Sequence, residues 1–303
     1  MTDSPHACRA GFFFLATTPA GPGPDRRYNS PVNKLEAFGY IAAQAARGDI
    51  TFPTSVNAVL RLQLALDDPD CHVDEAIRLV LSEPQLAART VALANTAAYG
   101  AAGGVQVSNV RAAVLRIGYR RLRGLVAALM VRQFGHRIAD RVLRAKAEQL
   151  WTHSAQVAAL AQAIARHVTR VDPDTALFAG IVHEVGGFYL LSRADEFPGL
   201  LEDDTENWGV LVEDVASLEI MRKLAIPADV AEAVGGLRDG VLNPAPHTLL
   251  DTLLLANRYA LVDSPLGSPF DDPEAGPLEA ATLQVLRSEA AETAQALGDA
   301  TLV

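Results

Sequence analysis

Apolar residues recur along most of this chain at three- and four-residue spacing, and no stretch alternates apolar and polar with the period of a strand. Leu35, Phe38, Ile41 and Ala45 share one helical face, entered through the capping pair Asn33 and Glu36 and ended by Gly48. Val56, Val59, Leu60 and Leu64 form the next, after Phe52-Pro53-Thr54 and before Asp68-Pro69. A short helix follows over residues 73–81, then one from Pro84 that presents Leu86, Thr90, Leu93 and Ala97 before the glycines of 100–104. Ser108 can cap a helix with Val110, Val114 and Ile117 that closes at Gly118, and Leu122, Leu125, Val126 and Leu129 carry another to about Gly135. A long helix is expected from about 138 to 168, with Leu143, Leu150, Val157, Ile164 and Val168 inward. Asp172-Pro173 starts the helix that bears His183, and further faces cover about 212–224, 227–237, 249–262 and 278–297.

The pattern therefore predicts an all-α, multi-helix bundle with short connections. It divides the chain into a Pro- and Gly-rich leader over 1–32, an N-terminal helical subdomain over 33–136, a second helical subdomain over 137–262, and a linker with a terminal helix over 263–303. With 303 residues, half of them apolar, the chain can bury one large or two modest cores, and wholesale disorder is excluded. The two cysteines, Cys8 and Cys71, have no ligand or redox spacing, which argues for a reducing, cytoplasmic setting. No apolar run was expected to reach the roughly 20 residues of a membrane span, and the apolar 11–16 stretch lacks a basic segment before it.

Charge adds one feature. Between Arg111 and Lys146 stand ten basic residues and one acid, so this segment carries +9 and leaves −19 for the rest of a chain whose net charge is −10. Two readings follow: a contact surface for an acidic partner, centred on Arg116, Arg120, Arg121 and Arg123, or arginines coating the wet faces of amphipathic helices. Nucleic acid is disfavoured, because no aromatic interleaving or binding motif accompanies the charge.

The candidate chemistry lies in Ala179-Gly180-Ile181-Val182-His183-Glu184-Val185-Gly186-Gly187, an apolar helical run that closes on two glycines, and in Leu150-Trp151-Thr152-His153-Ser154. Two imidazoles with a carboxylate can hold a divalent ion when helices bring them together. Adjacent helical residues diverge by about 100°, which leaves His183 and Glu184 able to share an ion only at a helix margin. From spacing alone the signal is weak, since a buried histidine bonded to a backbone carbonyl is commoner than a ligand.

These stretches resemble the HD superfamily of metal-dependent phosphohydrolases: 150–158 and 179–187 are similar to its first two motifs, and 254–258 to the third, which places Asn257 at the family's downstream aspartate. The resemblance is closer to the HDOD branch, the HD-related output domain of bacterial signalling proteins. It is carried by Phe52-Pro53, by 82–89, by Leu93-Ala94-Asn95-Thr96-Ala97-Ala98-Tyr99-Gly100, and by 107–118, and it spans about residues 50–262. It implies an HD-like helical fold and a cytoplasmic module that acts by binding, without catalysis. Its implied partners are signalling proteins of the response-regulator, cyclase, phosphodiesterase or kinase type, or a small ligand, with cyclic-dinucleotide signalling as one setting. The departures point the same way. Glu184 replaces the family's aspartate, Asn257 replaces the second, Gly187 stands in place of a lysine, and Leu237-Arg238 in place of a further histidine pair. One carboxylate cannot neutralise a divalent ion as two would, so no catalytic residue and no metal are expected. The alternative is a metal-dependent phosphohydrolase acting on nucleotides or cyclic dinucleotides, whose ligands would be His153, His183, Glu184 and Asn257.

Overall fold

The computed structural model describes residues 34–47, 56–68, 70–82, 84–95, 106–135, 138–197, 199–201, 206–224, 226–267 and 277–301. Among these every regular element is helical: α1 (Lys34–Ala46), α2 (Val56–Asp67), α3 (Val73–Leu81), α4 (Pro84–Ala94), α5 (Val110–Gly135), α6 (Arg141–Ile164) with a π-helical turn after it (Ala165–Thr169), α7 (Pro173–Val182), α8 (Val185–Ala194), α9 (Glu206–Lys223), α10 (Ala228–Gly235), α11 (Leu249–Arg258) and α12 (Ala280–Thr301). The all-α expectation holds. The leader, the Asn33 and Thr54 caps, the 96–105 break, the acidic residues 202–204 and most of the 264–277 linker lie outside the described residues.

The most buried part of the molecule is the α7–α8 hairpin, in which every residue from 176 to 191 is buried. It packs between α5 and α6 on one side and α9 on the other, while α1 covers α9. Residues 173–194 are long and apolar enough by composition to cross a membrane, which the sequence reading did not anticipate; 89% of the most apolar window is buried inside the fold, and the run breaks at His183-Glu184. Alanines carry much of the packing: Ala155, Ala158, Ala159 and Ala161 of α6 are buried, and Ala158 lies against Gly180 of α7. α12 lies along α6, with Leu286, Ala290 and Leu297 buried, and its Glu289 meets Arg166 and His167 of the π-helical turn.

Two local expectations change. Asn109, not Ser108, caps α5: its Oδ1 accepts the backbone N–H of Ala112 at 2.9 Å, because the capping oxygen must sit one residue before the first helical position to reach the third. The helix ending at Gly118 and the one after it run on as a single kinked element, with Gly118 at φ 75°, ψ 165°, a conformation that glycine adopts without a steric penalty.

Candidate functional site

α6 places the first histidine. Asp140 caps this helix by accepting the N–H groups of Val142 and Leu143 at 2.8 and 2.9 Å, and Asp195 in turn accepts those of Ala139 and Asp140. Three polar residues on one face of α6 then grip the backbone beyond α11. The Gln149 amide donates to the Asp263 carbonyl at 3.0 Å, His153 Nδ1 donates to the Val262 carbonyl at 2.7 Å, and Gln156 Oε1 accepts the N–H groups of Leu261 and Val262, each at 3.0 Å. Their four- and three-residue spacing makes this one surface.

α7 places the second. Gly180 lies so close to α6 that a Cβ added there would stand 2.5 Å from Ala158 Cα. Its carbonyl accepts the Nδ1–H of His183 at 2.7 Å. One glycine thus fixes both how near α7 comes to α6 and which way His183 faces. It sits inside an apolar helical pattern, where an isolated glycine is the sequence signal of close packing.

Contrary to the sequence reading, the helix does not run through His183 and Glu184 to the glycines. It ends at Val182; Glu184 takes φ −103°, ψ 18°, and α8 starts at Val185 with Gly186 and Gly187 inside it, the Gly186 N–H donating to Ser217 Oγ on α9 at 3.1 Å. This break removes the 100° divergence of neighbouring helical residues, and the longer glutamate side chain reaches back to the histidines. Glu184 Oε1 lies 3.9 Å from the Nε2 atoms of both His153 and His183, which are 3.4 Å from each other.

The proton count decides what this triangle can do. Each imidazole spends its Nδ1 hydrogen on a carbonyl, so a neutral ring offers a bare lone pair at Nε2. Burial pushes His183 down to about 4; the Glu184 carboxylate and the Gly180 carbonyl oppose that shift and the His153 ring adds to it. His183 is thus neutral at pH 7. Two Nε2 atoms and a carboxylate oxygen converge, and the centre of their triangle is about 2.2 Å from each corner, close to zinc–imidazole and zinc–carboxylate lengths. Backbone carbonyls orient both rings, the usual support behind histidine ligands. The donor set fits a divalent ion better than adjacency in the sequence implied. It is also closed: the side chains of His153 and His183 are 2% exposed and that of Glu184 11%.

Asn257, the fourth residue of the sequence-derived set, is half-buried on the last turn of α11, five residues before the Val262 carbonyl that holds His153. α11 is fixed by a capping box between Thr248 and Asp251 and by a 2.8 Å bond between the hydroxyls of Thr169 and Thr252.

Six arginines of the basic segment meet groups outside it. Arg120 pairs with Asp172 and Arg121 with Asp174, both in the opening turn of α7; Arg123 donates to the Leu66 carbonyl at 3.0 Å and lies over the Phe178 ring; Arg116 donates to the Ala94 carbonyl at 3.4 Å. Arg111 meets Asp74 and Arg132 meets Glu148. Much of the segment's charge is therefore matched within the fold by carboxylates that a segment-by-segment count assigns elsewhere.

A family model for the HDOD domain matches residues 52–221, more than half of the chain and including His153, His183 and Glu184. The chain belongs to the HDOD family. Solved structures agree on the fold. A "Putative metal-dependent phosphohydrolase" from Shewanella amazonensis SB2B superposes with a TM-score of 0.60 at 18% identity, over 85% of this chain and 99% of that one. An HDOD domain protein with unknown function from Geobacter sulfurreducens gives 0.60 at 21% identity, over 89% and 100%. A "Putative signal transduction protein" from Marinobacter aquaeolei VT8 gives 0.53 at 18%, over 89% of this chain and 66% of that one. No curated protein matches the chain significantly. At these identities the neighbours establish the HDOD fold, and the chemistry rests on the residues described above.

Proposed function

We propose that this HDOD protein is a cytoplasmic regulatory module that acts by binding signalling proteins or a small ligand, and that its His–His–Glu centre holds the fold together without hydrolysing a substrate. The observation that carries this reading is the closure of the centre. Metal-assisted hydrolysis needs an ion with an open position, a water on it and a path for the phosphate; here the two imidazoles are 2% exposed. The donor chemistry supports it. Glu184 brings one negative charge, Asn257 stands where the family's second carboxylate would, and Gly187 supplies no cation for a phosphate. A divalent ion on His153, His183 and Glu184 would supply a cross-link between α6 and the α7–α8 turn. The proposal keeps the two-part organisation, residues 33–136 packed on 137–262.

A metal-dependent phosphohydrolase is the second reading, favoured by one observation, the convergence of three donor atoms on a common centre. The test is turnover of phosphomonoesters and cyclic dinucleotides by protein loaded with Mn²⁺, Fe²⁺ or Zn²⁺. The expected rate equals that of His183→Ala. Turnover that His183→Ala abolishes would overturn the regulatory reading.

A further inference from the structure

One cavity is lined by α6, the helix that carries His153, and none of the three ligand candidates lines it. It is a groove of about 470 Å³ between α6 and α12, floored by the end of α5, within the size range of small-molecule sites.

Its polar groups are unevenly placed. Arg132 stands at the floor with its side chain only 10% exposed, its guanidinium 5.4 Å from the centre of the Trp151 ring. Glu148, which meets Arg132 Nη1 at 3.1 Å, is 58% exposed at the mouth. A buried cation thus meets a carboxylate that solvent already reaches, so an incoming anion can approach the same guanidinium from the groove. On the α12 side Arg287 lines the same space, held by a 3.1 Å bond from Nη2 to the Tyr259 carbonyl. Two guanidiniums against one carboxylate leave the lining positive in a chain of net charge −10. Between the arginines the lining is mixed, with Trp151, Ala155 and Leu160 of α6 and Ala290, Ala291 and Ala294 of α12 as its apolar part and Thr152, Gln156 and Gln295 as its polar part.

We infer that this groove binds a small organic anion with a flat apolar body, its anionic oxygens on Arg132 and Arg287 and its flat part between Trp151 and the alanines of α12. Bidentate guanidinium donors suit a carboxylate or a phosphate monoester, and an indole ring with alanines in the same lining suits an aromatic or heteroaromatic body. The site shares a support with the centre. Leu261 and Gln156 line the groove, and the same Gln156 fixes the Val262 backbone whose carbonyl orients His153. The inference goes beyond the regulatory reading, since binding here stands whether or not the centre turns over.

Titration calorimetry of the full chain with two probes, 1-naphthoate and adenosine 5′-monophosphate, tests it. The expected result is saturable binding of at least one probe, with Kd below about 1 mM. Arg287→Gln should weaken it by about tenfold. Ala291→Trp, at an exposed position on the groove wall, should abolish it while leaving the melting temperature in place. Preference for naphthoate would assign an aromatic carboxylate, and preference for the nucleotide a phosphate monoester. Absence of saturation by both probes, or binding that Ala291→Trp leaves intact, would overturn the assignment.

Discussion

The two ends of α7 do opposite things with polar residues. At its start Asp172 caps the helix, Arg120 and Arg121 reach across from α5, and every one of these side chains is at least partly open to water. At its end His183 turns into the core, where its partners are a carbonyl, another imidazole and Glu184. Ten residues separate a screened surface network from a desolvated one. An interaction at the open end competes with water and is worth little; at the closed end each unmatched group carries its full desolvation cost. The site the protein has built is at the closed end, although the charge in the sequence is concentrated at the other.

Gly180→Ala breaks the comparison most severely. Its Cβ would run into the Ala158 backbone at 2.5 Å, which cannot yield as a side-chain tip would. The expected loss is about 3 kcal/mol or more in urea unfolding, because α7 must back away from α6 and carry His183 with it.

The two ends also separate by pH. In metal-free protein, folded His183 resists protonation until about pH 4, whereas the unfolded imidazole takes its proton near 6.5. Its contribution is complete above pH 6.5 and is lost as pH falls toward 4, at no more than about 1.4 kcal/mol per pH unit. Urea midpoints measured in EDTA should fall over pH 6.5–5 for the wild type and stay flatter for His183→Gln. Asp172 acts in a lower window. Burial raises its carboxyl, but the hydroxyl and N–H of Thr175 and the charge of Arg120 together hold it below the usual value, so its contribution is present above the ordinary aspartate range and lost only as pH falls through it. A midpoint insensitive to pH between 6.5 and 5 would show that His183 is not desolvated.

Smaller effects belong to the open end. Asp172→Ala removes the cap that accepts the Thr175 N–H at 2.8 Å and should cost about 1 kcal/mol by thermal melting. Arg120→Ala, at a side chain 70% exposed, should cost less than about 0.5 kcal/mol, and less still in high salt. A large effect of Arg120→Ala would mean that the surface network does more than the comparison allows.

What the sequence made legible follows the same division. Asp172-Pro173 announces the start of α7, because capping and proline chemistry are local. The long α6 was placed to within a few residues by its apolar period, and its last turn widens into a π-helical turn that no local pattern marks. The histidines were singled out by their setting and by family resemblance. Their geometry was not legible, because it depends on a helix break at Glu184 and on carbonyls at Gly180 and Val262, one of them over a hundred positions away from His153. Gln156 gave no signal of its own: a glutamine on a helix face reads as surface until the 261–262 backbone is laid against it. The groove was invisible for the same reason, since Arg132, Trp151 and Arg287 meet only when α12 folds back along α6.

The claim beneath all of this is that the histidine centre is shut away from solvent. Exchange of the imidazole C2 hydrogen for deuterium, followed by peptide mass spectrometry of the folded protein, reads that directly. The account predicts that His153 and His183 exchange far more slowly than the half-exposed His167 and the exposed His247. Exchange of His153 and His183 at the rate of those surface histidines would contradict it.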